Sequence, residues 1–260
     1  MPFTPRLVAL DIDGTCVDFD GVPAPGLVEA VRGAVAAGAR VVMATGRGWH
    51  ATRPVVDALG LPPGPHVASN GAVRVTYPPL EILGQVTFDA TDVIERVHRL
   101  HPGAAMAVEV VGTGYRVTRP FPLGELHGSI EIVPPDRLAE GPVTRVVVRD
   151  PDASDGEFER LVASLGLHGV SYFVGWSAWL DIAPAGVDKA FGLAEVCRGL
   201  GIDAADVLAI GDGSNDIEML RWAGRGVAVG DAPQHVRDAA DAVTDAYADG
   251  GTVNELLRWF

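Results

Sequence analysis

Arg6-Leu7-Val8-Ala9-Leu10-Asp11-Ile12-Asp13-Gly14-Thr15 is the stretch on which the reading of this chain turns. Four apolar residues without polar alternation describe a strand buried on both faces, as in a parallel sheet covered by helices. The run stops abruptly at two acids. In extended backbone, residues 11 and 13 point to the same side, so both carboxylates share one place at the strand's carboxyl end. That is where open α/β sheets bind ligands. Gly14 then allows the chain to turn away from the crowded point.

Working outward, short β-branched runs alternate with helix-period stretches, the grammar of strands joined by crossover helices. Residues 26–37 carry Leu27, Val31 and Val35 on one helical face, residues 40–44 form the next strand, and a helix is expected over 48–59. A third strand is expected over 66–69, with a hairpin-like segment at 73–76. The same alternation resumes late in the chain: a helix over 189–200, a strand over 206–210, a helix over 215–223, a strand over 226–229, and short helices near 233–240 and 250–259. Between them the pattern changes. Pro78-Pro79 and Pro184-Ala185-Gly186 bracket a segment with helices near 92–100 and 155–165 and strands near 105–111, 115–118, 143–149 and 178–182. Residues 120–128 read as its irregular loop. The expected fold is therefore a Rossmann-like α/β core, a parallel sheet with helices on both faces, built from residues 1–79 and 184–260. Residues 80–183 form an inserted α+β cap.

A chain of 260 residues buries roughly 70–75% of its unfolded surface and needs no staple. Its two cysteines, Cys16 and Cys197, build no disulfide framework and lack zinc spacing. No apolar run reaches membrane-spanning length, and the amino terminus has no signal-peptide core, so a cytoplasmic location is expected. The formal charge of −14 disfavours nucleic acid and anionic membranes as partners, and it leaves any anionic substrate dependent on local cations.

The second acidic cluster is Gly211-Asp212-Gly213-Ser214-Asn215-Asp216, after the strand expected over 206–210. If its strand tip neighbours the first, Asp11, Asp13, Asp212 and Asp216 converge. Two such charges about 4 Å apart repel by about 4 kcal/mol at an effective dielectric of 20. A cation must relieve that, or the pKa values must rise. An all-oxygen set without His or Cys suits Mg²⁺. Thr45-Gly46-Arg47, at another strand end, offers a hydroxyl, backbone N–H groups and a helix start, all suited to phosphate oxygens. Lys189, after Gly186-Val187-Asp188, opens a helix where the chain re-enters the core, and can supply the positive charge.

The order Asp-x-Asp-Gly-Thr, Ala-Thr-Gly-Arg, Ser69-Asn70-Gly71-Ala72, Gly-x-Asp-Lys and Gly211 through Leu220 resembles the haloacid dehalogenase superfamily, specifically its Cof-type sugar-phosphatase branch with a large α/β cap. The resemblance spans essentially the whole chain. It implies a Mg²⁺-dependent phosphatase acting on a small phosphorylated metabolite, a sugar phosphate, through an aspartyl phosphate. Asp11 would be the nucleophile and Asp13 the general acid/base. Ile12, Thr45, Gly46, Lys189 and Asn215 would hold the phosphoryl group. Asp11, Asp13 (through its carbonyl), Asp212 and Asp216 would form the metal site, Asp216 supporting that shell and orienting Lys189. Asp13 favours turnover to free phosphate over a stored phosphoenzyme, because a second acid there can serve a leaving alcohol and then water. Three departures stand out: Asp231 where the branch has Asn, Cys16 where Leu is usual, and Gly48 in place of Pro.

Two other readings use the same residues: a phosphotransferase or mutase, and a non-catalytic metabolite-binding module. Gly46-Arg47-Gly48-Trp49-His50-Ala51 imitates a dinucleotide fingerprint but lacks the acidic residue about twenty positions on. His98 and His101 read as a solvated helix face. Trp176 and Trp179 read as packing residues of the insert. Arg116 and Arg119 could meet a second anionic group.

Overall fold

The structure, a computed structural model, describes residues 3–18, 21–167, 170–175 and 178–260. The first stretch of chain forms β1 (Leu7–Leu10), α1 (Leu27–Ala36), β2 (Arg40–Met43), α2 (Trp49–Leu59), β3 (Gly64–Ala68), β4 (Val73–Tyr77) and β5 (Glu81–Gln85). The middle forms α3 (Thr91–Leu100), β6 (Ala105–Val110), β7 (Gly114–Val117), β8 (Ser129–Ile132), β9 (Val146–Arg149), α4 (Asp155–Leu165), β10 (Val170–Gly175) and β11 (Trp179–Pro184). The last part forms α5 (Lys189–Leu200), β12 (Val207–Gly211), α6 (Ile217–Trp222), β13 (Arg225–Ala228), α7 (Gln234–Arg237), β14 (Ala242–Val243) and α8 (Gly251–Leu256).

Two compact units result. One contains Met1–Arg47, Thr52–Gly84 and Asp188–Phe260; the other contains Gly48–Ala51 and Gln85–Val187. In the first unit, a parallel sheet runs β14-β13-β12-β1-β2, with β1 between β12 and β2. The register aligns Leu10 with Ile210 and with Met43, so three strand tips end level. Leu7 and Ala9 pack with Val42, Ala209, Leu193, Val196, Met219 and Leu220, which seats α5 and α6 against one face. The alternating residues Val8, Leu10, Met43, Leu208 and Ile210 are equally buried on the other side, the side of α1 and α8. Double burial is why β1 reads as an unbroken apolar run.

The predicted third strand is β3, but it pairs antiparallel with β4 and joins β2 only through the Ala44–Val67 bridge. β3, β4 and β5 make a separate three-stranded sheet within this unit. α5 begins where expected: the Asp188 side chain caps it by accepting from the Phe191 N–H at 2.8 Å, and Gly201 ends it in left-handed conformation. The helix expected over 233–240 shrinks to Gln234–Arg237, started by Pro233.

The second unit has a six-stranded sheet, β10-β11-β9-β6-β7-β8, antiparallel except between β7 and β8. α3 and α4 bury Ile94, Val97, Phe158, Leu161 and Leu165 against Met106, Val108, Val146, Val148 and Leu180. The other face carries Ala107, Tyr115, Val117 and Val147 beside the buried Arg145–Asp181 ion pair, Nε to Oδ1 at 2.8 Å. Gly48 packs within this unit: a Cβ there would lie 2.5 Å from Tyr115 Oη and 2.9 Å from Glu109 Oε1, so a larger residue would require those two side-chain ends to shift. Residues 118–128 form no helix or strand, with Leu123 fully exposed. Trp176 lies outside the described residues. Among the described residues no helix is long and apolar enough to cross a membrane.

Candidate active site

Asp11 continues β1 by one hydrogen bond, its N–H donating to the Ile210 carbonyl at 3.0 Å, and its side chain is nearly fully buried. The chain then folds over itself: the N–H groups of Cys16 and Val17 both donate to the Ile12 carbonyl. Gly14 sits at φ +72°, and a Cβ there would overlap Asp212 Oδ2, so only glycine lets the first acidic loop touch the second. Thr15 Oγ1 donates to Asp212 Oδ1 at 3.0 Å. Carboxylate oxygens of Asp11, Asp212 and Asp216 lie within 4.8 Å of one another.

Lys189 stands in the middle of these acids, entirely buried. Its Nζ donates to Asp11 Oδ1 and to Asp216 Oδ1, each at 2.6 Å. Asp216 Oδ2 accepts from the N–H groups of Asp212 (3.0 Å) and Gly213 (2.8 Å), so this carboxylate ties the second loop to the lysine. Burial pulls the Lys189 ammonium toward neutrality, but Asp11 and Asp216 outweigh it and hold it protonated. Burial pushes the Asp11 carboxyl well above its ordinary range; Lys189 opposes this, while Asp216, Asp212 and Asp13 add to it. Burial, and then the Asp216 charge, lift Asp212 to about 7. One ammonium is therefore not enough positive charge for these acids. A divalent ion fits the set, because the donors are all hard oxygens and their crowding is what such an ion relieves.

The third strand tip adds neutral donors. Thr45 is buried; its N–H donates to the Val67 carbonyl, its carbonyl accepts from the Asn70 N–H, and its hydroxyl oxygen accepts from the Arg47 N–H. Asn215 Nδ2 donates to Asn70 Oδ1 at 2.9 Å, and Gly46 lies against both side chains. Ser69 and Asn70 hold φ of 51° each and Gly71 96°, a left-handed turn that brings Gly71 against the Asp188 carbonyl at the start of α5. The predicted residues Asp11, Ile12, Asp13, Thr45, Gly46, Lys189, Asp212, Asn215 and Asp216 thus lie at neighbouring tips and loops of one unit.

Two contributions were not assigned from sequence. Asn70, in the Ser69-Asn70-Gly71-Ala72 motif, accepts from the Asn215 amide. The Arg47 guanidinium forks onto Asp13, Nε to Oδ2 at 2.9 Å and NH2 to Oδ1. Among the departures, Asp231 accepts from the Tyr247 N–H at 2.8 Å. Cys16 is buried, and burial followed by the charges of Asp11 and Asp13 raises its thiol, so it packs as a neutral group. Of the remaining signals, His101 bonds Ser164, Arg116 pairs with Glu131 and Glu140, and Arg119 caps the carbonyls of Pro102 and Gly103.

Residues 8–108 and 126–256 match the family model described as haloacid dehalogenase-like hydrolase. The chain belongs to this family. It is a Cof-type member and a phosphoric monoester hydrolase. A phosphoglycolate phosphatase of Natronomonas pharaonis is 36% identical over 94% of this chain and 93% of its own length. One from Methanopyrus kandleri is 31% identical over 97% and 95%. Among solved structures, a phosphatase of the same superfamily from Bacteroides thetaiotaomicron is 27% identical, with a TM-score of 0.81 over 98% of this chain and 95% of that one. A subclass IIB sugar phosphatase at 23% identity superposes with a TM-score of 0.83.

Proposed function

We propose that this hydrolase dephosphorylates a small phosphorylated metabolite through an aspartyl phosphate on Asp11, with Mg²⁺ held by Asp11, Asp212 and the Asp13 carbonyl above a supporting Asp216. The observation that carries this is the buried Lys189 bridging Asp11 and Asp216 beside Asp212. An aspartate attacking a phosphate dianion meets strong repulsion. When bound, the ion supplies positive charge to the phosphoryl oxygens and to the attacking carboxylate.

The chain's own residues do the rest. Lys189 fixes the Asp11 carboxylate and offsets charge beside it. The Ile12 and Gly46 N–H groups, the Thr45 hydroxyl and the Asn215 amide hold the transferring group in line. As Asp11 forms its bond to phosphorus, the ester P–O bond breaks and Asp13 gives its proton to the departing oxygen. Asp13 then takes a proton from water, whose oxygen attacks phosphorus and frees both phosphate and Asp11. The inserted unit, Gln85–Val187, carries substrate choice.

Two substrate classes lead. Relatives matching nearly the whole chain at 31–36% identity are named phosphoglycolate phosphatases, which favours a phosphorylated hydroxy acid. Sugar phosphates, the class implied by the Cof-type resemblance, come second. The test is phosphate release by the purified protein from 2-phosphoglycolate, a panel of pentose and hexose phosphates, and p-nitrophenyl phosphate, with Mg²⁺ and with EDTA. Mg²⁺-dependent release from one class supports the reading. Phosphoryl transfer to an added alcohol without free phosphate, or full activity in EDTA, would sink it.

A further inference from the structure

We propose that Arg47 is a positioning residue that aims the Asp13 carboxylate at the leaving-group oxygen, an inference that rests on the acid/base role given to Asp13 above. The pairing is geometrically specific. Two nitrogens of one planar guanidinium meet the two oxygens of one carboxylate, a fork that fixes direction as well as distance. Arg47 itself is pinned at its backbone: its N–H donates to Thr45 Oγ1 at 3.0 Å, and its carbonyl accepts from the Ser69 N–H at 2.9 Å. The loop said to hold the phosphoryl group therefore also carries the group that orients the proton donor.

Stability does not account for the pair. The Asp13 side chain is 51% exposed and that of Arg47 25%, and an ion pair so open to water adds little to folding. What the fork does supply is order. Asp13 lies in a loop beyond the end of β1, with half its side chain in solvent, and among the described residues the Arg47 guanidinium grips both of its oxygens. The charged groups facing it are Arg47 from the loop after β2, Asp11 on its own segment and Asp212 from the loop after β12. Both acids repel it, so without Arg47 the carboxylate turns outward.

The consequence is a dependence on the leaving group. An alkyl phosphate departs as an alkoxide and needs the Asp13 proton; p-nitrophenyl phosphate departs as a stable phenoxide and does not. Because kcat/KM covers only the steps through transfer to Asp11, it isolates proton donation from the later hydrolysis. For Arg47→Gln we expect kcat/KM for 2-phosphoglycolate, or for the alkyl ester that the wild type turns over fastest, to fall about tenfold or more, with p-nitrophenyl phosphate within about threefold. Arg47→Lys keeps the charge but loses the fork, and should fall between. The thermal midpoint of both variants should match the wild type.

Equal losses for the two esters would overturn the inference, since Arg47 would then be a phosphate contact or a purely structural one. Unchanged values for both esters would overturn it as well. If Arg47→Gln does not fold, the ester ratio in Arg47→Lys decides. A wild type that releases phosphate from neither ester would instead bring down the functional reading, and this inference with it.

Discussion

Replacing Lys189 by methionine removes a buried cation that touches both Asp11 and Asp216. The side chain is fully buried and its Nζ lies 2.6 Å from each carboxylate. Methionine fills nearly the same volume, so packing changes little and the loss is electrostatic. The carboxylate oxygens lie within 4.8 Å, which gives a repulsion of about 3 kcal/mol at an effective dielectric of 20. Removing one partner of a buried ion pair costs about 3–5 kcal/mol in all. Against a typical total of about 5–15 kcal/mol this is a large share, and at about 2–4 °C per kcal/mol it lowers the midpoint by about 10 °C. The assay is urea unfolding in EDTA at pH 8 and again at pH 5. Burial already raises the Asp11 carboxyl, so without Lys189 it takes up a proton more readily in the folded state as pH falls. The deficit should shrink at pH 5. Phosphatase activity should fall by about 10²-fold or more, because charge stabilisation at the phosphoryl group is lost. Adding Asp216→Asn should recover stability but not activity. A loss below about 1 kcal/mol at pH 8, or one equal at both pH values, would refute the reasoning.

Three further outcomes follow from the same geometry. Asp11→Asn should abolish phosphate release while leaving the EDTA melting temperature at pH 7.5 equal or higher, since burial and three neighbouring acids already disfavour that charge; measurable turnover would remove Asp11 as nucleophile. Mg²⁺ at about 100 times its Kd should stabilise the wild type by about 2.7 kcal/mol, seen as a rise of about 5–10 °C over EDTA, and Asp212→Asn should erase most of that rise. In EDTA, stability should be highest near pH 4 and decline as pH rises toward 7, because Asp212 binds its proton more tightly folded, at about 7, than unfolded, at the ordinary aspartate value of 3.8. A thermal-melt series that climbed over that range instead would contradict the crowding.

The parts of the site readable in advance were those whose chemistry depends on residue type at a strand end. Asp11, Asp13, Asp212 and Asp216 are acids where apolar runs stop, and Lys189 opens a helix with a clear cap at Asp188. The Arg47 fork was hidden because a long, flexible side chain leaving a loop can reach in many directions, and only tertiary structure chooses one. Asn70 was hidden for a different reason: its role depends on three successive left-handed residues, a conformation that Ser69 signals only weakly. Pairing was the least legible feature. β5, Glu-Ile-Leu-Gly-Gln, exposes four of its five residues, so no buried stripe ties it to β4, and the sequence reading gave those residues to the insert. β8 is likewise exposed throughout and left no pattern of core contacts. β3 looked like one more parallel strand because a buried apolar run does not say which neighbour it joins.

The position of β1 has a consequence for how the molecule is made. One of its neighbours, β2, follows within about 35 residues, but the other, β12, begins only at Val207. A ribosome adding about 5–20 residues per second needs on the order of 10–40 s to cover that interval. During that time β1 has one open edge, and the acid on which the chemistry is proposed to depend lacks Asp212 and Asp216, and for most of it Lys189 as well. On this proposal activity waits for the segment from Lys189 to Asp216, and a nascent chain stalled before β12 should be inert while already holding a complete middle segment.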